Sequence, residues 1–161
     1  MNLEIIFKAQ TELDTILMKK VIKQNEKNFE IKRGVALLVE LGEFANEVKA
    51  FKYWKKHKEM NRDKVLEEFA DGIHFLTSIS LSKQVKSDIK IISKYDDFSL
   101  QLSYVYKLFT NLLTKCTKNN VKKAYGAYLG LGLLVNIGYN EIITSYLNKN
   151  KINYERIENN Y

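Results

Sequence analysis

The sequence predicts an all-α protein arranged as an antiparallel helical bundle. Apolar residues recur at intervals of three and four along most of the chain, whereas the alternation typical of β-strands is nowhere sustained. The 161 residues include no proline, the residue that most strongly disrupts helix interiors. Hydrophobic residues make up 45% and charged residues 28% of the chain, which is typical of a globular protein with a buried core. We expect one domain over residues 1–161.

The apolar periodicity, read together with candidate capping residues, predicts six helices. In chain order they run from about Leu3 to Val21, Arg33 to Trp54, Asn61 or Asp63 to Leu81, Asp97 or Ser99 to Leu113, Asn119 or Asn120 to Val135, and as a short helix capped by Asn140. The stretch "SKQVKSDIKIISKYDD" is interpreted as a loop with a short helical turn, and "INYERIENNY" as a polar tail.

The uncharged stretch "AYGAYLGLGLLVNIGYN" belongs to the fifth predicted helix and needs a separate explanation. It is too short to cross a bilayer comfortably and is interrupted by four glycines. We therefore expect a buried core helix. Its apolar surface, together with the apolar positions on more than one side of the first helix, favours a two-fold dimer of bundles.

The charge of the chain indicates anionic partners, because the formal net charge is +7 at pH 7. Nucleotides and nucleic acids both qualify, but no helix-turn-helix, zinc-finger or RNA-recognition signature is present, so no specific nucleic-acid partner is expected. The single cysteine, Cys116, cannot form an intramolecular disulfide, and the first residues do not resemble a secretory signal. We expect a cytoplasmic protein without a membrane partner.

Two groups of acidic residues stand among apolar residues on the second and third predicted helices. Glu40 and Glu43 are three residues apart, as are Glu68 and Asp71, and residues at this spacing are neighbours on a helix face. If the two helices form an antiparallel hairpin, the pairs can face each other. Four carboxylates in such a space repel one another, and a divalent cation relieves the repulsion. Oxygen ligands favour Mg²⁺ or Mn²⁺, and no Cys/His set has zinc-like spacing.

The spacing alone leaves a second interpretation open. Acids three residues apart are common on solvated helix faces, where Lys49, Lys52 or Lys64 would form ordinary surface ion pairs with them. The apolar neighbours in "LLVELGEFA" and "LEEFADGIHFL" count against that interpretation, because unpaired charge in apolar surroundings is costly. From the residues alone, a salt-bridged surface and a metal site both remain possible.

The motifs resemble those of the all-α nucleoside triphosphate pyrophosphohydrolase superfamily, and more closely those of the dimeric dUTP diphosphatases. "FKYWKK" is similar to the family's aromatic-lysine segment, and "ADGIHF" continues the second acidic motif as the family does. The end of the chain resembles the family's closing motif at Tyr146, Lys149, Asn153, Arg156 and Tyr161. Ile157 and Asn160 depart from it, since glutamine and glycine are usual there. The resemblance covers Gln10 to Tyr161, although residues 83–123 match only in helical character.

The resemblance implies Mg²⁺-dependent hydrolysis of dUTP to dUMP and pyrophosphate by a homodimer. The metal ligands would be Glu40, Glu43, Glu68 and Asp71, with Mn²⁺ as a substitute ion. Glu43 would also orient and deprotonate the attacking water, and Glu47 is a candidate outer ligand.

The resemblance also implies a set of substrate-binding residues. They are Gln10, Trp54, Lys55, His74, Phe75, Lys149, Asn153 and Arg156, with Lys52 as a further candidate. Trp54 and Phe75 would form the slot for uracil, Gln10 and Asn153 would supply amides to its edge, and His74 would contact the sugar. Lys55, Lys149 and Arg156 would bind the phosphates, and residues 148–161 would act as a C-terminal substrate-binding tail.

Two alternative functions stay open at this point. A related enzyme of the superfamily could cleave another nucleoside triphosphate at the same metal site. The amides around the base would then select a base other than uracil. A basic helical module that binds nucleic acid or protein would instead bind DNA in a salt-dependent way and hydrolyse no triphosphate.

Overall fold

The computed structural model describes residues 1–20 and 27–159 of the chain. These residues form six α-helices and no strand beyond an isolated bridge between Asn2 and Asp88. The helices are α1 Glu4–Lys20, α2 Phe29–Val48, α3 Arg62–Ser82, α4 Phe98–Leu112, α5 Lys118–Leu133 and α6 Tyr139–Glu158. The predicted all-α fold is confirmed. Val21, the expected end of the first helix, and Tyr161 and Asn160 of the closing motif lie outside the described residues.

Helix α3 lies at the centre of the bundle, where it packs against α1, α2, α5 and α6. It runs antiparallel to α2. Arg33, early in α2, donates hydrogen bonds to Ser78 and Ser82 late in α3, whereas Phe44, late in α2, packs against Phe69 in the first half of α3. This is the hairpin that would bring the two carboxylate pairs together.

Three helices begin after a residue whose side chain caps the first turn. Asn61 and Asp97 cap α3 and α4 as predicted, each accepting a hydrogen bond from the backbone N–H three residues further on. For α5 the prediction was late, because Thr117 is the cap rather than Asn119 or Asn120. The threonine hydroxyl provides the same acceptor, so either residue type suits the position.

Helix α2 differs from the prediction at both ends. It begins at Phe29 rather than near Arg33, and it ends at Val48 rather than at Trp54. The cause of the early end is Lys49, whose φ of 63° places it in the left-handed region. Glycine usually occupies such a position because a side chain is disfavoured there, so the sequence gives no sign of the break. Trp54 consequently lies in the irregular connection between α2 and α3.

Residues 83–97 connect α3 to α4 without the expected helical turn. The segment passes beside the start of the chain, where the backbone N–H of Leu3 donates to the carbonyl of Ser87 and that of Ile89 donates to the carbonyl of Met1. These contacts take up backbone groups that a helix would have paired internally. The predicted loop is therefore confirmed, whereas the short helical turn expected within it is wrong.

Two glycines of α5 allow the same connection to lie directly on that helix. A Cβ atom at Gly126 or Gly130 would collide with the backbone of the connection around Lys90 and Ile92, and the Ile92 N–H donates to the Gly126 carbonyl at 2.9 Å. Gln101 of α4 fixes the arrangement, since its amide nitrogen donates to the carbonyls of both Ile92 and Ala127. Residues 124–132 are all buried, which confirms the predicted core helix. In the described residues, no helix is both long and apolar enough to cross a bilayer.

Helix α6 is much longer than predicted. Gly138, rather than Asn140, precedes its first turn, and its backbone N–H donates to the Glu141 carboxylate. The helix then continues to Glu158, so the described part of the expected polar tail is helical. Ile157 is buried, so the last turn of this helix still lies against the rest of the protein.

Candidate functional site

Four carboxylates of α2 and α3 face one another across the hairpin. Oxygen atoms of Glu40, Glu68 and Asp71 lie within 4.8 Å of one another, and Glu43 is close enough for its charge to raise the pKa values of Glu40 and Glu68. Glu43 is exposed, whereas the other three are half-buried. The structure thus brings together the four residues that the sequence nominated, and their role as metal ligands stays a prediction.

Burial and mutual repulsion make the carboxylates of this cluster hard to ionise. Burial, followed by the charges of Asp71, Glu43 and Glu68, raises the pKa of Glu40 from 4.5 to about 7. Burial and neighbouring acids likewise raise the pKa of Glu68 to about 7. The pKa of Asp71 is also raised by burial, although Lys149 and Arg156 oppose this. A surface salt-bridge network would show the opposite effect, because paired carboxylates ionise more readily.

Lys149 reaches this cluster from α6. Its Nζ lies 2.7 Å from Asp71 Oδ2 and 2.9 Å from Glu67 Oε1. Burial lowers the pKa of Lys149, but its hydrogen bonds and charge attraction to the two acids outweigh that effect and leave the pKa raised. Sequence analysis placed Lys149 at the site and missed Glu67, since nothing in "LEEF" distinguishes a partner of a lysine 82 residues away.

A buried polar network lies beside the cluster. Gln10 Oε1 accepts a hydrogen bond from the Tyr146 hydroxyl at 2.8 Å and is 2.9 Å from His74 Nδ1, while Gln10 Nε2 donates to Asp14 Oδ1 at 2.7 Å. Asp14 can only accept, so it fixes the orientation of the amide, and the Gln10 oxygen then requires a proton on His74 Nδ1. The His74 and Tyr146 rings stack with centroids 4.0 Å apart. Most of the hydrogen-bonding capacity of the Gln10 amide is therefore used by Asp14, His74 and Tyr146.

His74 is held neutral in this network. Burial lowers its pKa to about 3, although the nearby backbone of Tyr146 opposes this effect, and its Nε2 is buried and makes no well-formed hydrogen bond in the described residues. With the proton on Nδ1, Nε2 carries a free lone pair and can accept a hydrogen bond from a ligand. This fits a contact with a hydroxyl group, which is the chemistry that the sequence expectation for His74 requires.

A cavity of about 1060 Å³ opens from the carboxylates and follows α3 between α1, α2 and α6. From Asp71 to Ser82 it extends roughly 16 Å, at 1.5 Å per helical residue. Of the expected site residues, those that line it are Glu40, Asp71, Gln10, His74, Phe75, Lys149, Asn153 and Arg156. The volume suits a nucleotide-sized ligand.

The end of the cavity furthest from the carboxylates is also polar. Arg33 is buried there, and its guanidinium donates to Glu30, Ser78 and Ser82. Sequence analysis did not single out Arg33, because a lone arginine at the start of a helix is an ordinary surface residue. Only the fold shows that it faces the cavity.

The aromatic-lysine segment lies away from this cavity. Trp54 is 60% exposed and packs edge-on against Phe51 and Tyr53. Lys55 is exposed in the same connection, and Lys52 Nζ donates to the carbonyl of Asn46. Trp54 and Lys55 are not among the residues that line the cavity in the described part of the chain, so their roles in substrate binding stay predictions. Glu47 is half-buried one turn beyond Glu43, outside the converging group among the described residues.

Comparison with known proteins shows the family to which the chain belongs. No curated protein matches the chain at a significant level. A family model described as dUTPase matches residues 2–161, which is nearly the whole chain. Because that match includes both acidic motifs and the closing helix, this chain belongs to the all-α dUTPase family and is a hydrolase of dUTP.

Proposed function

We propose that the enzyme cleaves dUTP to dUMP and pyrophosphate at the cavity mouth, with Mg²⁺ held by Glu40, Glu43, Glu68 and Asp71. The observation that carries this proposal is the convergence of carboxylates whose pKa values lie well above the ordinary range. All the donors are carboxylate oxygens, which suits Mg²⁺, and Mn²⁺ would substitute. A cation that replaces protons at these groups removes the repulsion that raises their pKa values.

The position of each residue in the site determines the role that we assign to it in hydrolysis. Mg²⁺ bound by these carboxylates would stabilise charge on the phosphoryl group and lower the pKa of a bound water molecule. Glu43 is the exposed member of the cluster and neighbours Glu68, so it is best placed to orient that water and accept its proton. Lys149 and Arg156 lie about two turns apart on α6, both line the cavity, and they would bind phosphate oxygens.

The base and sugar would occupy the cavity beyond the carboxylates. Phe75 offers an apolar wall, and the free Nε2 of His74 can accept a hydrogen bond from a sugar hydroxyl. Gln10 has only one amide hydrogen left after its contacts with Asp14, Tyr146 and His74, so Asn153 is the amide better able to complement the uracil edge. Trp54 is retained as the second wall, which requires the connection between α2 and α3 to approach the cavity.

We also propose that two copies of the chain associate. Ile31, Val35 and Val39 form an exposed apolar stripe along α2, with between 46% and 50% of each residue accessible. Residues four apart share one helix face, so the stripe is continuous and suits a two-fold contact with a second copy. A Val35→Glu variant is expected to shift the molecular mass measured by light scattering from two chains to one. The cytoplasmic setting stays part of this proposal.

The function is tested by measuring pyrophosphate release from a panel of deoxynucleoside triphosphates with and without Mg²⁺. dUTP should be the preferred substrate, and a preference for another triphosphate would favour the related pyrophosphohydrolase. Glu43→Gln and Asp71→Asn should each lower kcat by a factor on the order of 10³ or more, because each removes a group that acts in the transition state. Wild-type turnover in either folded variant would contradict the residue assignment.

A further inference from the structure

Lys149 is a buried cation placed between the proposed metal ligands and an acid outside them. Only 8% of the residue is exposed, and its Nζ contacts Asp71 Oδ2 on one side and Glu67 Oε1 on the other. Asp71 belongs to the converging carboxylates, whereas Glu67 is not among them in the described part of the chain. The Glu67 side chain is 52% exposed, so it sits at the edge of the site.

A divalent cation and the Lys149 ammonium would both be attracted to Asp71. Either cation alone would stabilise the ionised carboxylate of Asp71. Two cations a few ångströms apart, however, repel each other strongly where water is partly excluded. Binding of the cation therefore weakens the Lys149–Asp71 ion pair, and loss of the Lys149 charge should favour the cation.

The position of Glu67 gives the ammonium somewhere else to bind. Glu67 and Asp71 are four residues apart on α3, so their side chains share one helix face, and Lys149 approaches both from α6. The ammonium can pass from shared contact to Glu67 alone by side-chain rotation, without movement of a helix. It then remains beside the cluster, where the proposed function needs a positive charge for the phosphates.

We propose that Lys149 is an internal counter-ion that a divalent cation displaces from Asp71, and that Glu67 is a positioning residue that retains the displaced ammonium for the substrate phosphates. This inference rests on the proposed function. It assigns Glu67 a role through Lys149 rather than through contact with the reacting atoms.

The test measures binding of Mn²⁺ alone, by electron paramagnetic resonance at pH 8 and without nucleotide. Lys149→Met should tighten Mn²⁺ binding about tenfold, because it removes a positive charge in contact with a ligand carboxylate. Glu67→Gln should weaken it severalfold, since the ammonium then depends on Asp71 alone. In the double variant, Glu67→Gln should have much less effect, because no ammonium is left to position. For dUTP hydrolysis, Glu67→Gln should raise KM more than it lowers kcat.

Two matched controls remove the same charges away from the site. Lys151→Met lies on the exposed face of α6, and Asp63→Asn is exposed at the start of α3. Both should leave the Mn²⁺ affinity unchanged. Circular dichroism checks folding, and Lys149→Gln replaces Lys149→Met if the latter does not fold.

The possible outcomes separate this inference from the proposed function. Unchanged or weaker Mn²⁺ binding by both Lys149 variants would overturn the counter-ion role, even if dUTP hydrolysis is intact. A Glu67→Gln effect of equal size with and without Lys149 would overturn the positioning role. A folded wild-type enzyme that releases no pyrophosphate from dUTP would overturn the proposed function, whatever the Mn²⁺ affinities.

Discussion

Neutralising Glu40 should stabilise the protein while abolishing its activity. The unfolded chain ionises this group near pH 4.5, whereas burial and the charges of Asp71, Glu43 and Glu68 raise its pKa in the folded protein to about 7. Above pH 4.5 the fold therefore disfavours the charged form, and this penalty grows until about pH 7 and is then constant. At 1.36 kcal/mol per pH unit the full difference is about 3 kcal/mol, and solvent screening of a half-buried side chain reduces it to roughly 1–2 kcal/mol.

Glu40→Gln removes the charge and keeps the shape. In chelator-containing buffer at pH 8, its free energy of unfolding should exceed that of the wild type by about 1–2 kcal/mol, which corresponds to roughly 2–8 °C in Tm for a chain of this size. At pH 4.5 the gain should almost vanish, because the folded wild type is then protonated at this position. Urea titrations at both pH values measure the difference, with the exposed Glu12→Gln as the charge-matched control.

Two results would refute this reasoning. If Glu40→Gln lowers stability at pH 8, the carboxylates are not in mutual conflict. If the gain is equal at pH 8 and pH 4.5, its origin is packing rather than charge. Adding Mg²⁺ should stabilise the wild type more than the variant, because the cation offsets a repulsion that the variant has already lost.

Three further predictions concern the surroundings of the carboxylates. Gly72→Ala should cost about 1–3 kcal/mol in urea unfolding, because the added methyl group overlaps the buried phenol of Tyr128. The control is Gly138→Ala, whose methyl group would only touch the Glu141 carboxylate at 3.9 Å, and an equal cost would contradict the overlap. Gln10→Leu should cost about 1–3 kcal/mol, since it leaves the Tyr146 hydroxyl and His74 Nδ1 unpaired, and wild-type stability would contradict the network. Mn²⁺ affinity should fall roughly 10–100-fold from pH 8 to pH 6, because protons compete for two carboxyl groups with pKa values of about 7, and a flat profile would contradict those values.

The parts of the fold that follow from local chemistry were predictable from sequence. The start of α3 at Asn61 and of α4 at Asp97 depends on a side chain that caps its own helix, and such a signal lies within four residues. The end of α2 at Lys49 does not, because the tertiary structure holds a lysine in a conformation that sequence rules reserve for glycine. The loop over residues 83–97 was predicted, but its hydrogen bonds to the start of the chain and to α5 were not, since those backbone partners are distant in sequence.

In the candidate site, too, features set by local spacing were predictable from sequence and contacts between distant residues were not. The two carboxylate pairs were found because three-residue spacing fixes a shared face, and a hairpin then suffices to oppose them. The engagement of Gln10 by Tyr146, 136 residues away, could not be anticipated, and it changes which amide is available for the base. Trp54 was nominated by resemblance, and its connection leaves it in solvent rather than beside the cavity.

The close contact between α5 and the connection 83–97 has a consequence for mutational tolerance. The contact is made by main-chain atoms, with Gly126 and Gly130 on one side and the backbone around Lys90 and Ile92 on the other. The irregular connection should therefore tolerate substitution of its side chains, although loops contact the core less than helices do. The regular helix α5 should not tolerate substitution at its two glycines. In a saturation mutagenesis library, the exposed Lys90 should accept most side chains, while the two helical glycines should accept none, alanine included.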